Sequence, residues 1–258
     1  MSWLYIFLAS LVEGLTEFLP ISSTGHLIIL NHLLQIKSSP LISSFDIFIQ
    51  LGAILAIVDL YLKELLQNKK QIFNLLISFF PTAIIGLLFY PLVKGFLFDN
   101  IAVLVIALTL GGILIFFLPR VKSSKKQLSY FEYFKIGLFQ SLSIIPGTSR
   151  ALMTIAGGLY SGLDLAESIK YSFLLAIPTI GAATTLDLFK SRHVLLQSPQ
   201  YFIYFLIGFV LSYLSAKFSV KFFLNLVKSK GLKPFAYYRI ILAIIIFCLF
   251  ILPLWKPF

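Results

Sequence analysis

Two glutamates four residues apart, Glu13 and Glu17, stand inside an apolar run near the start of the chain. On a helix that spacing puts both carboxylates on one face, with about 6 Å between β-carbons. There they share a proton or bind a cation, unless they merely mark a frayed helix end at the membrane interface. Pro20 follows, and Ser22, Ser23 and Thr24 then lead through Gly25 to His26. Such a hydroxyl run usually caps the next helix, and the free N–H groups of that helix also attract an oxyanion such as phosphate. His26 could bond a hydroxyl, transfer a proton or tie a neighbouring helix. Much later, Ile145-Pro-Gly-Thr-Ser-Arg150 places a guanidinium at the tip of a glycine-containing loop. Its planar fork of donors suits phosphate oxygens, although an arginine at a hairpin end can also simply snorkel to the interface. A carboxylate pair, hydroxyls, an imidazole and an arginine brought together would make a phosphoryl site that works by positioning and charge stabilisation.

These groups need elements to hold them, and composition says what those elements are. Of 258 residues, 59% are apolar and only 12% charged, with a mean hydropathy of +0.96. Ordinary globular proteins run near ~25% charged, so lipid is the solvent for most of this chain and a single polytopic membrane domain over residues 1–258 is expected. The excess of basic residues, 21 against 10 acidic, falls in short clusters between apolar runs. That is the pattern of orientation signals and not of a face for nucleic acid. Cys248 is the only cysteine, which excludes an internal disulfide. The first twenty residues lack a basic leader and a small-residue cleavage site, so they read as mature structure.

Six runs approach the ~20 residues that a helix needs to span hydrocarbon: residues 45–62, 72–93, 101–118, 166–189, 201–220 and 235–254. Two further apolar regions, 3–36 and 130–163, are broken by Pro20 and by Pro146-Gly147. Each half is too short to span, so each region reads as a re-entrant helical hairpin, tolerated only where protein or water covers its bare backbone. The loops after spans one, three and five carry Lys63, Lys69 and Lys70, then Arg120, Lys122, Lys125 and Lys126, then Lys217, Lys221, Lys228, Lys230 and Lys233. The other side has Lys37, Lys94, Lys190, Arg192 and Lys256. Positive residues mark the cytoplasmic side, which puts the first hairpin outside, the second inside and both termini outside.

Each half is a broken hairpin followed by three spans, and an odd number of spans inverts the second copy. At an offset of 126 residues, Pro20-Ile-Ser-Ser23 falls on Pro146-Gly-Thr-Ser149 and Phe45-Asp46 on Tyr171-Ser172. The expected fold is therefore an all-α polytopic integral membrane protein of six transmembrane helices and two re-entrant hairpins. It forms an inverted-topology repeat with halves about 1–120 and 127–254, whose broken helices meet near the midplane. Ionisable groups there cost on the order of 3 kcal/mol each by insertion scales, which makes them functional candidates. His32 and His193 lack such company and read as interfacial.

The run Glu13-Gly-Leu-Thr-Glu-Phe-Leu-Pro-Ile-Ser-Ser-Thr-Gly-His26 resembles the signature of the bacterial undecaprenyl-diphosphate phosphatases, the bacitracin-resistance family. Pro146-Gly-Thr-Ser-Arg150, Phe45-Asp-Ile-Phe-Ile-Gln-Leu-Gly-Ala53, Ser172-Phe-Leu-Leu-Ala-Ile-Pro178 and Tyr238-Arg-Ile240 resemble that family's segments in its order, so the likeness covers nearly the whole chain. It implies hydrolysis of the lipid carrier's diphosphate to monophosphate and phosphate, recycling the carrier for peptidoglycan synthesis, in the bacterial cytoplasmic membrane with a site open to the outer face. By resemblance Glu13 and Glu17 are the acidic pair, and Ser23 and His26 the candidate nucleophile or proton-transfer residues. Arg150 binds phosphate, with Ser22, Thr24, Gly147, Thr148 and Ser149 around the substrate. A divalent cation, Mg²⁺ or Ca²⁺, is implied at Glu13 and Glu17. The isoprenyl diphosphate and membrane lipid are the expected partners, nucleic acid is not, and a homodimer stays open. Ser23, His26 and water remain alternative nucleophiles. One departure is visible: Ala151 and Leu152 stand where the family has Ser-Gly, which puts in doubt a phosphate contact at 151. The competing class is an inverted-repeat lipid flippase or secondary transporter, which would move substrate without releasing phosphate. The other class of lipid phosphatases pairs Ser-Gly-His with a distant Ser-Arg-x5-His, and only Ser23-Thr-Gly-His26 is reminiscent of it.

Overall fold

The computed structural model describes residues 1–37, 39–92, 97, 100–121, 127–195 and 198–251. Lys94, Lys122, Lys125, Lys126 and Lys256, and the expected span ends at residues 93 and 254, lie outside them. Among the described residues there are ten α-helices and no strand: α1 (Trp3–Thr16), α2 (Ser23–Leu33), α3 (Pro40–Gln67), α4 (Lys69–Leu92), α5 (Ile101–Phe116), α6 (Tyr130–Ser141), α7 (Arg150–Tyr160), α8 (Leu165–Leu195), α9 (Pro199–Lys230) and α10 (Lys233–Ile246). Local chemistry sets several starts. Ser39 and Ser198 cap helices that begin with proline, Asn100 caps α5, and Ser129 with Glu132 forms a capping box on α6. Each supplies acceptors to first-turn N–H groups that would otherwise lack partners.

The protein is a multi-pass membrane protein. Among the described residues five helices are long and apolar enough to cross a membrane: α3, α4, α8, α9 and α10 with its π-helical extension to Ile251. The sixth expected span is shorter than the sequence implies. α5 ends at Phe116 and has 16 residues, about 24 Å at 1.5 Å per residue, against ~30 Å of hydrocarbon. Pro119 bars the residue before it from helical geometry, so the chain leaves the helix early.

The two broken hairpins, α1–α2 and α6–α7, open at opposite ends of α3. Near its start Ile42, Phe45 and Ile49 pack with Tyr5, Ile6 and Ala9 of α1 and Leu27 of α2. Near its end Tyr61 and Leu65 pack with Ile136 of α6, Leu75 of α4 and Tyr171 of α8. Between them Ala53, Ile54 and Ile57 share one core with Phe18, Leu19 and Ile21 of the first break and Leu152, Met153 and Ile155 of α7. The hairpin tips therefore meet in the middle of the molecule. Each outer hairpin helix lies close against a long helix of the other half, α1 on α9 and α6 on α4. A β-carbon on Gly14 would stand 2.3 Å from the Ser212 carbonyl oxygen, and one on Gly137 2.0 Å from that of Ser78. Small residues let backbones approach where lipid offers no hydrophobic drive, and the hydroxyls nearby are used: Ser219 donates to the Leu15 carbonyl and Thr82 to that of Gly137.

Candidate active site

Both hairpins turn through a serine with positive φ. Ser22 (φ 74°) caps α2, its Oγ accepting from the Gly25 N–H at 3.3 Å. Ser149 (φ 73°) caps α7, its Oγ accepting from the Leu152 N–H at 3.3 Å. A non-glycine residue held there costs of order 1–3 kcal/mol and persists only where surrounding structure dictates it. The backbone thus pairs Ser149 with Ser22, one position away from the Ser23 partner that the offset of 126 suggests. The outcome is that the N-termini of α2 and α7, each with N–H groups free of helical partners, open on one space.

That space is a cavity of about 140 Å³, lined from the first hairpin by Glu17, Ser22, Ser23 and Thr24 and from the second by Ser143 through Gly147 with Ser149 and Arg150, with Gln50 of α3 and Ile180 of α8 closing the sides. The expected acid–arginine juxtaposition is present. Arg150 donates from Nε (3.1 Å) and Nη2 (3.0 Å) to Glu17 Oε1, while its Nη1 donates to the Ser172 carbonyl at 3.1 Å. Its guanidinium carbon stands 5.8 Å from the Phe18 ring centroid. The second Glu17 oxygen, Oε2, accepts from the Ser23 hydroxyl at 2.5 Å. Serine and carboxylate are thus placed as a nucleophile and its base would be, and the same carboxylate holds the arginine.

Other expected site residues stand elsewhere. His26 does not line the cavity. Its Nδ1 faces the Ser22 carbonyl at 2.7 Å, where it must donate, and its Nε2 faces the Tyr238 hydroxyl at 2.6 Å, the two rings stacked. Thr148 is also outside the lining, its hydroxyl donating to the Ile145 and Leu142 carbonyls to close the second turn. Ser22 and Ser149 do line it while spending their hydroxyls on the caps. Ala151 and Leu152 are fully buried, and the lining stops at Arg150, so the departure at 151–152 falls in the protein core. Thr154 bonds Ser172 across the α7–α8 contact, which steadies the Ser172 carbonyl that anchors Arg150. Gln50, Tyr238 and Arg239 are additions from the structure. Gln50, an amide inside an apolar helix, carried a signal that could have been followed.

Glu13 is fully buried, and no group outside the acidic pair donates a hydrogen bond to it; its side-chain partner is the Glu17 carboxyl. Charged neighbours are Glu17, Asp46 and Arg150. Asp46 is engaged with the Tyr5 hydroxyl at 2.6 Å. A buried carboxylate without such donors is costly, and its chemistry fits a cation ligand. No group of three or more His, Cys, Asp or Glu suited to a metal exists among the described residues. Glu13 and Glu17 could nevertheless suffice, because Mg²⁺ is commonly held by one or two carboxylates together with substrate phosphates.

Comparison with known proteins identifies the family. The family described as bacitracin resistance protein BacA matches residues 6–245. An undecaprenyl-diphosphatase of Aquifex aeolicus is 45% identical over 241 residues, covering 91% of this chain and 93% of its own. Undecaprenyl-diphosphatase 1 of Bacillus anthracis is 44% identical, with 95% and 97% covered, and the undecaprenyl-diphosphatase of Bdellovibrio bacteriovorus 36%, with 96% of each. A likeness that covers nine-tenths or more of the chain in relatives this similar, with both hairpin breaks inside the matched region, means that the chain belongs to the bacitracin resistance protein BacA family.

Proposed function

We propose that this protein hydrolyses undecaprenyl diphosphate to undecaprenyl phosphate and inorganic phosphate. The observation that carries the proposal is the convergence of Ser23, Glu17 and Arg150 on a cavity faced by two helix N-termini, in a chain whose relatives are named undecaprenyl-diphosphatases. The lipid tail lies along the apolar outer faces of the helices, and the diphosphate enters between the hairpin tips. Arg150 exchanges Glu17 for phosphoryl oxygens while the Ser172 carbonyl keeps hold of its other end. The N–H groups at the starts of α2 and α7 add positive potential where charge develops. Ser23 Oγ attacks the terminal phosphorus and its proton passes to Glu17 Oε2. The bond to the bridging oxygen breaks, and its electron pair leaves on undecaprenyl phosphate. Glu17 passes that proton to the departing phosphate; water, its proton then taken by the freed carboxylate and returned to Ser23 Oγ as the phosphorus–oxygen bond breaks, opens the phosphoserine to free phosphate and restores the hydroxyl. A Mg²⁺ or Ca²⁺ at Glu13 and Glu17 would supply charge neutralisation to the diphosphate. Glu13, with no donor outside the acidic pair, is the ligand that such an ion would satisfy.

The basic loops that the charge pattern assigns to the cytoplasm support an orientation in the bacterial cytoplasmic membrane with the site toward the outer face. An inverted repeat of the two halves accounts for hairpins that open at opposite ends of α3 and for two serine turns of matching backbone. The decisive test is phosphate release from undecaprenyl diphosphate by purified protein in detergent. Wild type should release phosphate and Arg150→Ala almost none while keeping its fold. Movement of the lipid across vesicle membranes with no phosphate release would overturn the reading in favour of a flippase.

A further inference from the structure

Arg239 of α10 is completely buried, and the partners of its guanidinium are main-chain carbonyls. Nε donates to Leu108 (3.2 Å), Nη1 to Pro20 (3.1 Å), and Nη2 to both Ala107 (2.9 Å) and Gly147 (2.8 Å). Room for it comes from α5: a β-carbon on Gly111 would stand 2.1 Å from Nη2. A buried guanidinium is tolerated only when its donors are satisfied. Here the carbonyls come from three places that the sequence keeps far apart: α5, the break of the first hairpin and the break of the second. Gly147 itself sits at φ 96°, where other residues are strained.

We propose that Arg239 is a positioning residue for the phosphoryl site. It does not line the cavity and so does not touch substrate. Its effect is transmitted through the two carbonyls. Pro20 stands between Glu17 and Ser23, and Gly147 lies three residues before Arg150. Bonding both to one rigid, planar cation fixes the separation at which Ser23–Glu17 and Arg150 face each other. Apart from the Arg150–Glu17 pair, which an incoming phosphate must break, the direct link between the turns is a long one, Ser149 Oγ to the Leu19 carbonyl at 3.5 Å. The clasp also turns two carbonyl oxygens onto the guanidinium. This removes acceptors that would repel an anion from a site whose N–H groups must face it. A lysine keeps the charge but lacks the fork that reaches carbonyls on three elements.

The proposal rests on the hydrolase reading, and its test separates the two. Spin labels on Thr24→Cys and Thr148→Cys, in a Cys248→Ser background, report the distance between the turns. That distance should be sharply distributed with Arg239 present and broad in Arg239→Lys and in Gly111→Ala, which displaces the guanidinium without altering any cavity residue. In unlabelled protein both variants should remain folded in detergent and lose about 10²-fold in kcat, the scale of a 1 Å misplacement, with KM changed far less. Adding Arg239→Lys to Arg150→Lys should cost much less than the product of the single losses, because both act on one constellation. A merely structural arginine would give independent, multiplying losses. Unchanged distance distributions, kcat within about threefold of wild type in the folded variants, or multiplying losses would each overturn the clasp. A wild-type protein that releases no phosphate would overturn the hydrolase reading, while the distances still judge the clasp.

Discussion

Replacing Glu17 by glutamine keeps its size and removes one acceptor, and the site leaves no good orientation for the amide. In the native arrangement both carboxylate oxygens accept, Oε1 from two Arg150 N–H groups and Oε2 from the Ser23 hydroxyl. A glutamine can accept on one side only. If its oxygen faces Arg150, its NH₂ faces Ser23 and the proton acceptor is gone. If the oxygen faces Ser23, two sets of N–H donors oppose each other and Arg150 is pushed away. General-base catalysis contributes about 10²–10⁴-fold, so Glu17→Gln should lower kcat about 10³-fold, on the order of 4 kcal/mol in the barrier. KM should stay level or fall, because an arginine released from its internal partner is freer to hold diphosphate. That pattern belongs to a group acting in the transition state and not in uniform binding. The assay is phosphate release from undecaprenyl diphosphate over a range of substrate, with the melting temperature checked alongside. Wild-type kcat, or a raised KM at unchanged kcat, would refute the assignment of Glu17 as the proton acceptor of Ser23.

Glu13→Gln should shift the activation curve for Mg²⁺ or Ca²⁺ to higher metal after chelator treatment, read as half-maximal phosphate release, with maximal rate recovered in part. His26→Asn and Tyr238→Phe should each cost less than about tenfold in kcat, below the usual range for losing a general base, because the imidazole points at Tyr238 and away from the cavity. A loss of 10³-fold in His26→Asn would return the histidine to the chemistry. Gly14→Ala should lower the melting temperature in detergent, because its new methyl meets the Ser212 carbonyl and Ser215, an overpacking worth about 1–3 kcal/mol.

The broken hairpins were legible because a proline in a long apolar run leaves halves too short to span, and the meeting of Glu17 with Arg150 because membrane charges need partners. Register was less so: Ser22 and Ser149 share backbone shape, a relation that the aligned letters displace by one. His26 read as chemistry from its company, whereas in the structure its two ring nitrogens meet the Ser22 carbonyl and the Tyr238 hydroxyl. The true length of α5 depended on how far Pro119 reaches back. Arg239 was the least readable. It stands within Tyr238-Arg-Ile240, but its partners are carbonyls, which every residue has, so no pattern of side chains could announce them.

The Glu17–Arg150 ion pair also sets a threshold for what can enter. Before substrate arrives, the arginine already has a carboxylate bonded through two N–H groups, so any incoming anion must outcompete a built-in rival. Chloride or a lone carboxylate, singly charged, offers no more than the partner it would displace. A terminal phosphoryl group, with more charge and three outer oxygens, offers more. On the proposed mechanism the resting protein therefore screens anions by the strength of its own internal bond, and only a ligand that wins the exchange frees the carboxylate to act as the base.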